Sequence, residues 1–190
     1  MTRSAGRPRS EDSRRRVLAA ARDLLRESGV RAVSMDAVAS RAHVSKQTLY
    51  RWWGSTSAIV VEAVLDGYEP PVPETVVETG DLRADIASWI ERSARSLSDD
   101  DVAQGVRALL GAVSSDPVAG REFHDRTLAP ARRTIEHLLS ADEPSEQTRS
   151  ARADIAISAL LFWVLVDQPV DAGRRDALRD LLTGSGRTGA

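Results

Sequence analysis

Between Ser45 and Trp53 the chain reads Ser-Lys-Gln-Thr-Leu-Tyr-Arg-Trp-Trp, a segment dense in side chains that recognise nucleic acid. Lys46 and Arg51 can neutralise phosphates or donate to guanine O6 and N7. Gln47 can pair with adenine, and Thr48 can touch a thymine methyl group or a phosphate. Tyr50 and the indole N–H of Trp52 can each donate to a phosphate oxygen while their rings pack. The chemistry implied is the reading of a duplex.

Such side chains work only on a rigid carrier. Ser45 is a good helix N-cap. At about 100° per residue, Lys46, Gln47, Tyr50 and Arg51 share one half of the following helix, and Leu49 and Trp53 fall on the opposite, core-facing half. Thr48 and Trp52 lie at the boundary. An earlier N-cap, Ser34, starts a short helix with Val38, Ala39 and Ala42 facing inward, and Ala39 is small enough to let the next helix approach. The turn between the two carries His43, a type enriched at positive φ among non-glycine residues. Two short helices around a tight turn form a helix-turn-helix. A supporting helix is expected after Ser10, with Val17, Ala21, Leu24 and Leu25 on its buried side and Gly29 at its end. Ahead of it, Arg3, Arg7 and Arg9 around Gly6 and Pro8 form a basic arm suited to a minor groove.

The net charge of −2 argues against a nucleic-acid partner until its distribution is considered. Residues 1–55 hold 12 Lys/Arg against 5 Asp/Glu, and residues 56–190 hold 14 against 23. A basic front end on an acidic remainder suggests two jobs, and local positive charge is what drives counterion release from DNA. With 42% hydrophobic and 28% charged residues, the 190-residue chain can bury one or two cores. It has no cysteine, hence no disulfide framework or thiolate metal site. No secretory signal opens it, and its longest apolar run, Ile155 to Val166, is shorter than the roughly 20 residues of a membrane span. These features predict a cytoplasmic protein.

The remainder reads as further helices. Ser55 caps a fourth helix with Ile59, Val60, Ala63 and Val64, ended by Asp66, Gly67 and a proline cluster. Asp81 caps a fifth with Ile86, Ile90, Ala94 and Leu97, and Asp99 to Asp101 open a sixth. Asp116 and Pro117 begin a seventh, with Pro130 a kink. Ala141 to Ser150 reads as a loop, followed by a helix over Arg152 to Val166 that is apolar nearly all round and so expected to be buried on all sides, by its own domain and by a second subunit. Asp171 begins the last. The expected organisation is an arm at 1–9, a head with its connecting helix at 10–68, a linker at 69–80 and a C-terminal helical part at 81–190.

Ser34 to Trp53, with its Val-Ser-Lys-Gln-Thr-Leu-Tyr run and the following Ser-Thr-Ser-Ala-Ile-Val-Val-Glu-Ala-Val helix, resembles the DNA-binding domain of TetR-family transcriptional regulators. The stretch around Leu128-Ala-Pro-Ala-Arg-Arg resembles an element of one branch of their sensing domains. The resemblance implies an all-α fold, in which a three-helix DNA-binding head is linked to a larger helical ligand-binding and dimerisation domain. It implies a ligand-responsive repressor that binds a palindromic double-stranded DNA operator as a homodimer, with a small-molecule effector, no cofactor, no metal and no membrane. Expected DNA-binding residues are Ser34, Ser45, Lys46, Gln47, Thr48, Tyr50, Arg51, Trp52, Arg7 and Arg9. Trp89, Leu110, Phe123, His124, Phe162 and Trp163 are the ligand-pocket candidates. Leu160, Leu161, Leu165, Leu178 and Leu181 are the expected dimer contacts, on the last two helices.

The chain departs from the family pattern at His43, where Gly is usual, at Trp53, where Phe is usual, and at Thr56, where a phosphate-anchoring Lys is usual. Arg51 or the arm arginines are expected to supply the missing charge. Two other readings compete with this one. A helical enzyme built on the His124-Asp125 pair lacks further ligands, and no phosphate loop, His-Glu-x-x-His or nucleophile elbow is present. An adaptor that has lost DNA binding draws support from His43 and Thr56 alone.

Overall fold

The computed structural model describes residues 7–67, 72–73 and 75–184, with side chains from residue 11 onward. Among these residues the regular structure is helical: α1 (Arg7–Ser28), α2 (Met35–Ala42), α3 (Lys46–Trp53), α4 (Thr56–Gly67), α5 (Leu82–Leu97), α6 (Asp100–Ser115), α7 (Pro117–Phe123), α8 (Ala129–Leu139), α9 (Glu146–Leu165) and α10 (Ala172–Thr183). A 3-10 turn at Val30–Ala32 joins α1 to α2, and a π-helical turn at His124–Leu128 joins α7 to α8. None of the described helices is long and apolar enough to cross a membrane.

The chain divides into two compact units. The first holds α1 to α4 together with Arg107–Phe123, a stretch that the sequence pattern placed in the C-terminal part. Here α1 packs on α2 and α4, α3 on α2 and α4, and α7 on α4. Val17, Ala21, Leu25, Val38, Leu49, Ile59 and Val61 form its fully sequestered interior, as the period of apolar residues requires. The second unit holds residues 70–106 and 124–190, where α10 packs on α5 and α9, and α8 on α5 and α9. Ile86, Trp89, Ile90, Ile135, Leu139, Leu160 and Leu182 close its core.

Several helix boundaries differ from the sequence expectation. Helix α1 starts at Arg7, ahead of the expected cap at Ser10. Helix α9 starts at Glu146, because Ser145 Oγ accepts the Thr148 N–H at 3.2 Å and so caps it six residues early. The kink expected at Pro130 is a π-helical turn just before it: Pro130 has no N–H to offer Arg126, and the backbone widens there. The helix expected to be covered by its own domain and by a second subunit is covered on one face within its own unit. Ala153, Ala156, Ile157, Leu160 and Val164 face the core, while Ile155, Phe162 and Leu165 are about half exposed.

Candidate nucleic-acid interface

Two capped helices present the site. Ser34 Oγ accepts the Ala37 N–H at 3.2 Å and starts α2, and Ser45 Oγ accepts the Thr48 N–H at 3.1 Å and starts α3. Ser45 Oγ also pairs with Thr48 Oγ1 at 2.9 Å, tying the first turn of α3 together. Between them His43 sits in the left-handed region, at φ 54° and ψ 47°. That conformation lets the Val44 N–H reach back to the Ala39 carbonyl at 3.1 Å and turns the chain sharply into α3. The expected positive φ in the turn is present, carried by a histidine that stays exposed.

Helix α3 divides as its wheel requires. Leu49 is fully buried, Thr48, Trp52 and Trp53 are half-buried, and Lys46, Gln47, Tyr50 and Arg51 point to solvent. Tyr50 keeps 55% of its surface exposed although it is aromatic, so its ring belongs to the outer face and not to the core. The structure thus gathers Ser45, Lys46, Gln47, Thr48, Tyr50, Arg51 and Trp52 on one short helix and its cap, with Ser34 capping the helix before it. Arg7 and Arg9 lie in the first turn of α1, and their side chains lie outside the described residues.

Three carboxylates whose partners the sequence does not reveal help to set this surface. Asp36, in the first turn of α2, ion-pairs with Lys46 at 2.5 Å, and this hydrogen-bonded carboxylate holds the lysine pKa above its ordinary value. Glu62 of α4 accepts the indole N–H of Trp53 and ion-pairs with Arg14 of α1, while Arg14 also donates to Asp66 at 3.0 Å. The end of α3 is therefore fastened to α4 and α1 through one carboxylate whose side chain is only 14% exposed. Asp116 caps α7 by accepting the Val118 N–H at 2.9 Å, and its other oxygen accepts the Ser55 hydroxyl at 2.6 Å. Ser55 in turn caps α4 through the Ala58 N–H at 3.1 Å. The Ser55 hydrogen bond, followed by those from the Ala119 and Val118 amides, holds the Asp116 carboxyl below the usual aspartate range. The sequence signals for these pairs are weak: opposite charges ten residues apart across a turn, an acid interrupting an apolar run, and two caps far apart in the chain.

The six pocket candidates are divided between the two units. Leu110 and Phe123 belong to the first unit and the other four to the second. Trp89 is sealed in its core with its indole N–H on the Pro73 carbonyl at 3.1 Å, and Phe162 is 57% exposed. His124 is exposed and paired with its neighbour Asp125 at 2.9 Å, and Trp163 lies under the Arg174 guanidinium at 5.5 Å. A surface cavity of about 360 Å³ in the second unit is lined instead by residues that include Val76, Glu78, Arg133 and His137, and none of the six candidates lines it. Of the expected dimer residues, Leu165 and Leu181 are about half exposed and Leu161 is partly so. Leu160 and Leu178 are spent on the protomer's own core, at 0% and 4% exposure, so they offer no surface to a second chain.

Comparison with known proteins agrees with this geometry. The family model for bacterial regulatory proteins of the tetR family matches residues 17–63, and that for the tetracyclin repressor-like C-terminal domain matches residues 76–182. The uncharacterized HTH-type transcriptional regulator YdeS of Bacillus subtilis is 29% identical over 100% of this chain and 98% of its own. The DNA-binding transcriptional repressor TetR of Mycobacteroides abscessus is 28% identical over 86% of this chain and 87% of its own. The crystal structure of the TetR family transcription regulator SCO0332 superposes with a TM-score of 0.63 at 26% identity, covering 91% of this chain and 98% of that one. With a capped helix-turn-helix at the front and the matching C-terminal domain behind it, the chain belongs to the TetR family of bacterial regulatory proteins.

Proposed function

We propose that this chain regulates transcription by seating α3 in the major groove of a two-fold symmetric operator as a homodimer, and that it represses the genes beside that operator. The observation that carries the reading is the outward set Lys46, Gln47, Tyr50 and Arg51 on a helix whose Leu49 is fully buried. Buried Leu49 fixes the helix, and the four exposed side chains supply phosphate and base-edge contacts. Ser45, Thr48 and Trp52 flank that face, and Ser34, Arg7 and Arg9 belong to the proposed DNA contacts, the two arginines as partners of the minor groove. One such helix reads only a few base pairs, and pairing two heads by symmetry supplies the second half-site, about one helical turn away.

The dimer forms through the outer faces of α9 and α10. Ile155, Phe162, Leu165 and Leu181 are each about half exposed, which leaves apolar surface for a second chain to cover. A small-molecule effector acts on the unit that carries α5 and α8 to α10 and releases the operator by favouring a head spacing that no longer fits. Its effect is bounded by its differential affinity for the two states. The repressor of Mycobacteroides abscessus lends its sign to the proposal, and the cytoplasm, where the operator lies, is the proposed location.

Selection of bound duplexes from a random-oligonucleotide library tests the whole reading, and a two-fold symmetric consensus is expected. Arg51→Ala should weaken binding to the selected duplex and reduce the slope of log affinity against log salt by about 0.9, the value of one phosphate contact. An unchanged affinity and slope would remove Arg51 from the interface.

A further inference from the structure

Histidines aside, arginine supplies every basic side chain of this protein but one. Of its 26 Lys and Arg residues the single lysine is Lys46, the first residue of the reading helix. Its ammonium lies 2.5 Å from Asp36 Oδ1, across the turn between α2 and α3, with the two side chains 50% and 76% exposed. Water reaches both, so the pair is held by proximity and exchanges readily with other ions. Arg51, at the other end of the same face, has no ion-pair partner among the described residues. The two cations of the reading helix are therefore unequal: among the described residues one has no carboxylate partner, and the other already holds an anionic oxygen.

We propose that Asp36 is a specificity-determining residue, whose carboxylate stands in for a phosphate oxygen at Lys46 and keeps that cation from engaging DNA until base contacts hold α3 in register. The inference rests on the proposed seating of α3 on DNA. Away from the operator the head touches a duplex loosely, Lys46 stays with Asp36, and the pair contributes no net charge. On the operator the contacts of Gln47 and Arg51 press the start of α3 to the backbone, and phosphate displaces the carboxylate. A compact ammonium with three rotatable donors suits such an exchange, because it can keep one partner while it takes another, whereas a planar guanidinium binds a carboxylate as a fork. Asp36 thus subtracts one phosphate contact from non-specific binding and leaves the specific complex nearly complete.

The test compares wild type, Asp36→Asn, Asp36→Glu and Lys46→Gln on two probes: a duplex recovered by selection, and a scrambled duplex of the same length and composition. For the wild type, the salt slope on the selected duplex should exceed that on the scrambled one by more than for Asp36→Asn, by about 0.9. Asp36→Asn should bind the scrambled duplex roughly eightfold more tightly at about 0.1 M salt, the effect of one added phosphate contact, and gain much less on the selected duplex. Asp36→Glu should behave as wild type. An independent readout follows from the single lysine: with an N-hydroxysuccinimide ester, the labels found by peptide mass at Lys46 report its amine alone. Release from Asp36 should make Lys46 of Asp36→Asn acylate severalfold faster in the absence of DNA.

If Asp36→Asn shifts both duplexes by the same factor, or acylates at the wild-type rate, the inference is overturned. If Lys46→Gln binds both duplexes as wild type does, the seating of α3 itself is wrong. Circular dichroism melts of each variant separate these outcomes from loss of fold.

Discussion

Trp53→Phe isolates the fastening at the end of the reading helix, because it keeps a ring in place and removes only the indole donor. The Glu62 carboxylate then loses one of its two partners at a site where its side chain is 14% exposed, and Arg14 alone remains to compensate it. A hydrogen bond to a charged group contributes about 1.5–3 kcal/mol, and most of that should be lost, because the carboxylate is too enclosed to regain a full shell of water. Smaller packing losses add to this, so a destabilisation of about 2–3 kcal/mol is expected. At roughly 2–4 °C per kcal/mol for a chain of this length, the melting midpoint should fall by about 5–10 °C. The assay is circular dichroism at one fixed protein concentration, since the midpoint of an oligomer depends on concentration. Glu62→Leu supplies the control. With the carboxylate gone, Arg14 keeps Asp66 at 3.0 Å, and Trp53→Phe should then cost about 1 kcal/mol or less. If Trp53→Phe costs the same with and without Glu62, or less than about 0.5 kcal/mol in the wild type, the carboxylate does not hold the helix and the reasoning fails.

Other expectations follow from the same geometry. His43→Gly should relieve the left-handed backbone at φ 54° and raise stability by up to about 1 kcal/mol, with affinity for a selected duplex unchanged; a lower melting midpoint would contradict this. The folded-state pKa of Asp116 is depressed, so its contribution is complete at neutral pH and is lost as pH falls from about 4 downward, through the folded value. Asp116→Asn should therefore give a shallower loss of melting midpoint on acidification than wild type, and an identical acid limb would refute the pairing with Ser55. Leu160→Ala, at a fully buried position, should cost about 2–5 kcal/mol. Leu165→Asp, half exposed on the same helix, should leave the protomer folded and shift its sedimentation toward the monomer; an unchanged oligomer would move the interface elsewhere.

The parts of this protein that were legible from sequence are those written in neighbouring residues. Ser34, His43 and Ser45 each act within three or four residues, and the wheel of α3 needs only its own period, so the helix-turn-helix could be drawn before any coordinates. The family resemblance then supplied the fold class, which local patterns alone left as a string of helices. The interactions that were missed join residues whose proximity is made by packing. Lys46 reads as a free cation until Asp36 is brought across the turn, and Trp53 reads as plain core until Glu62 meets its indole. Helix α9 shows the same limit from the other side. An all-round apolar sequence says that both faces want cover, and only the fold says that Leu160 is covered within the protomer while Leu165 is not.

The paired caps at Ser55 and Asp116 carry a further consequence, for which residues the chain can accept. An isolated helix start tolerates Ser, Thr, Asn or Asp almost equally. At position 55 the capping oxygen must accept from Ala58 and also give a proton to a carboxylate that lies 61 residues away in the chain. Aspartate, an equal cap elsewhere, would set two carboxylates against each other there. The alphabet at the turn after the reading helix is thus narrowed to residues that can donate, by a partner that no local rule of helix capping would consult.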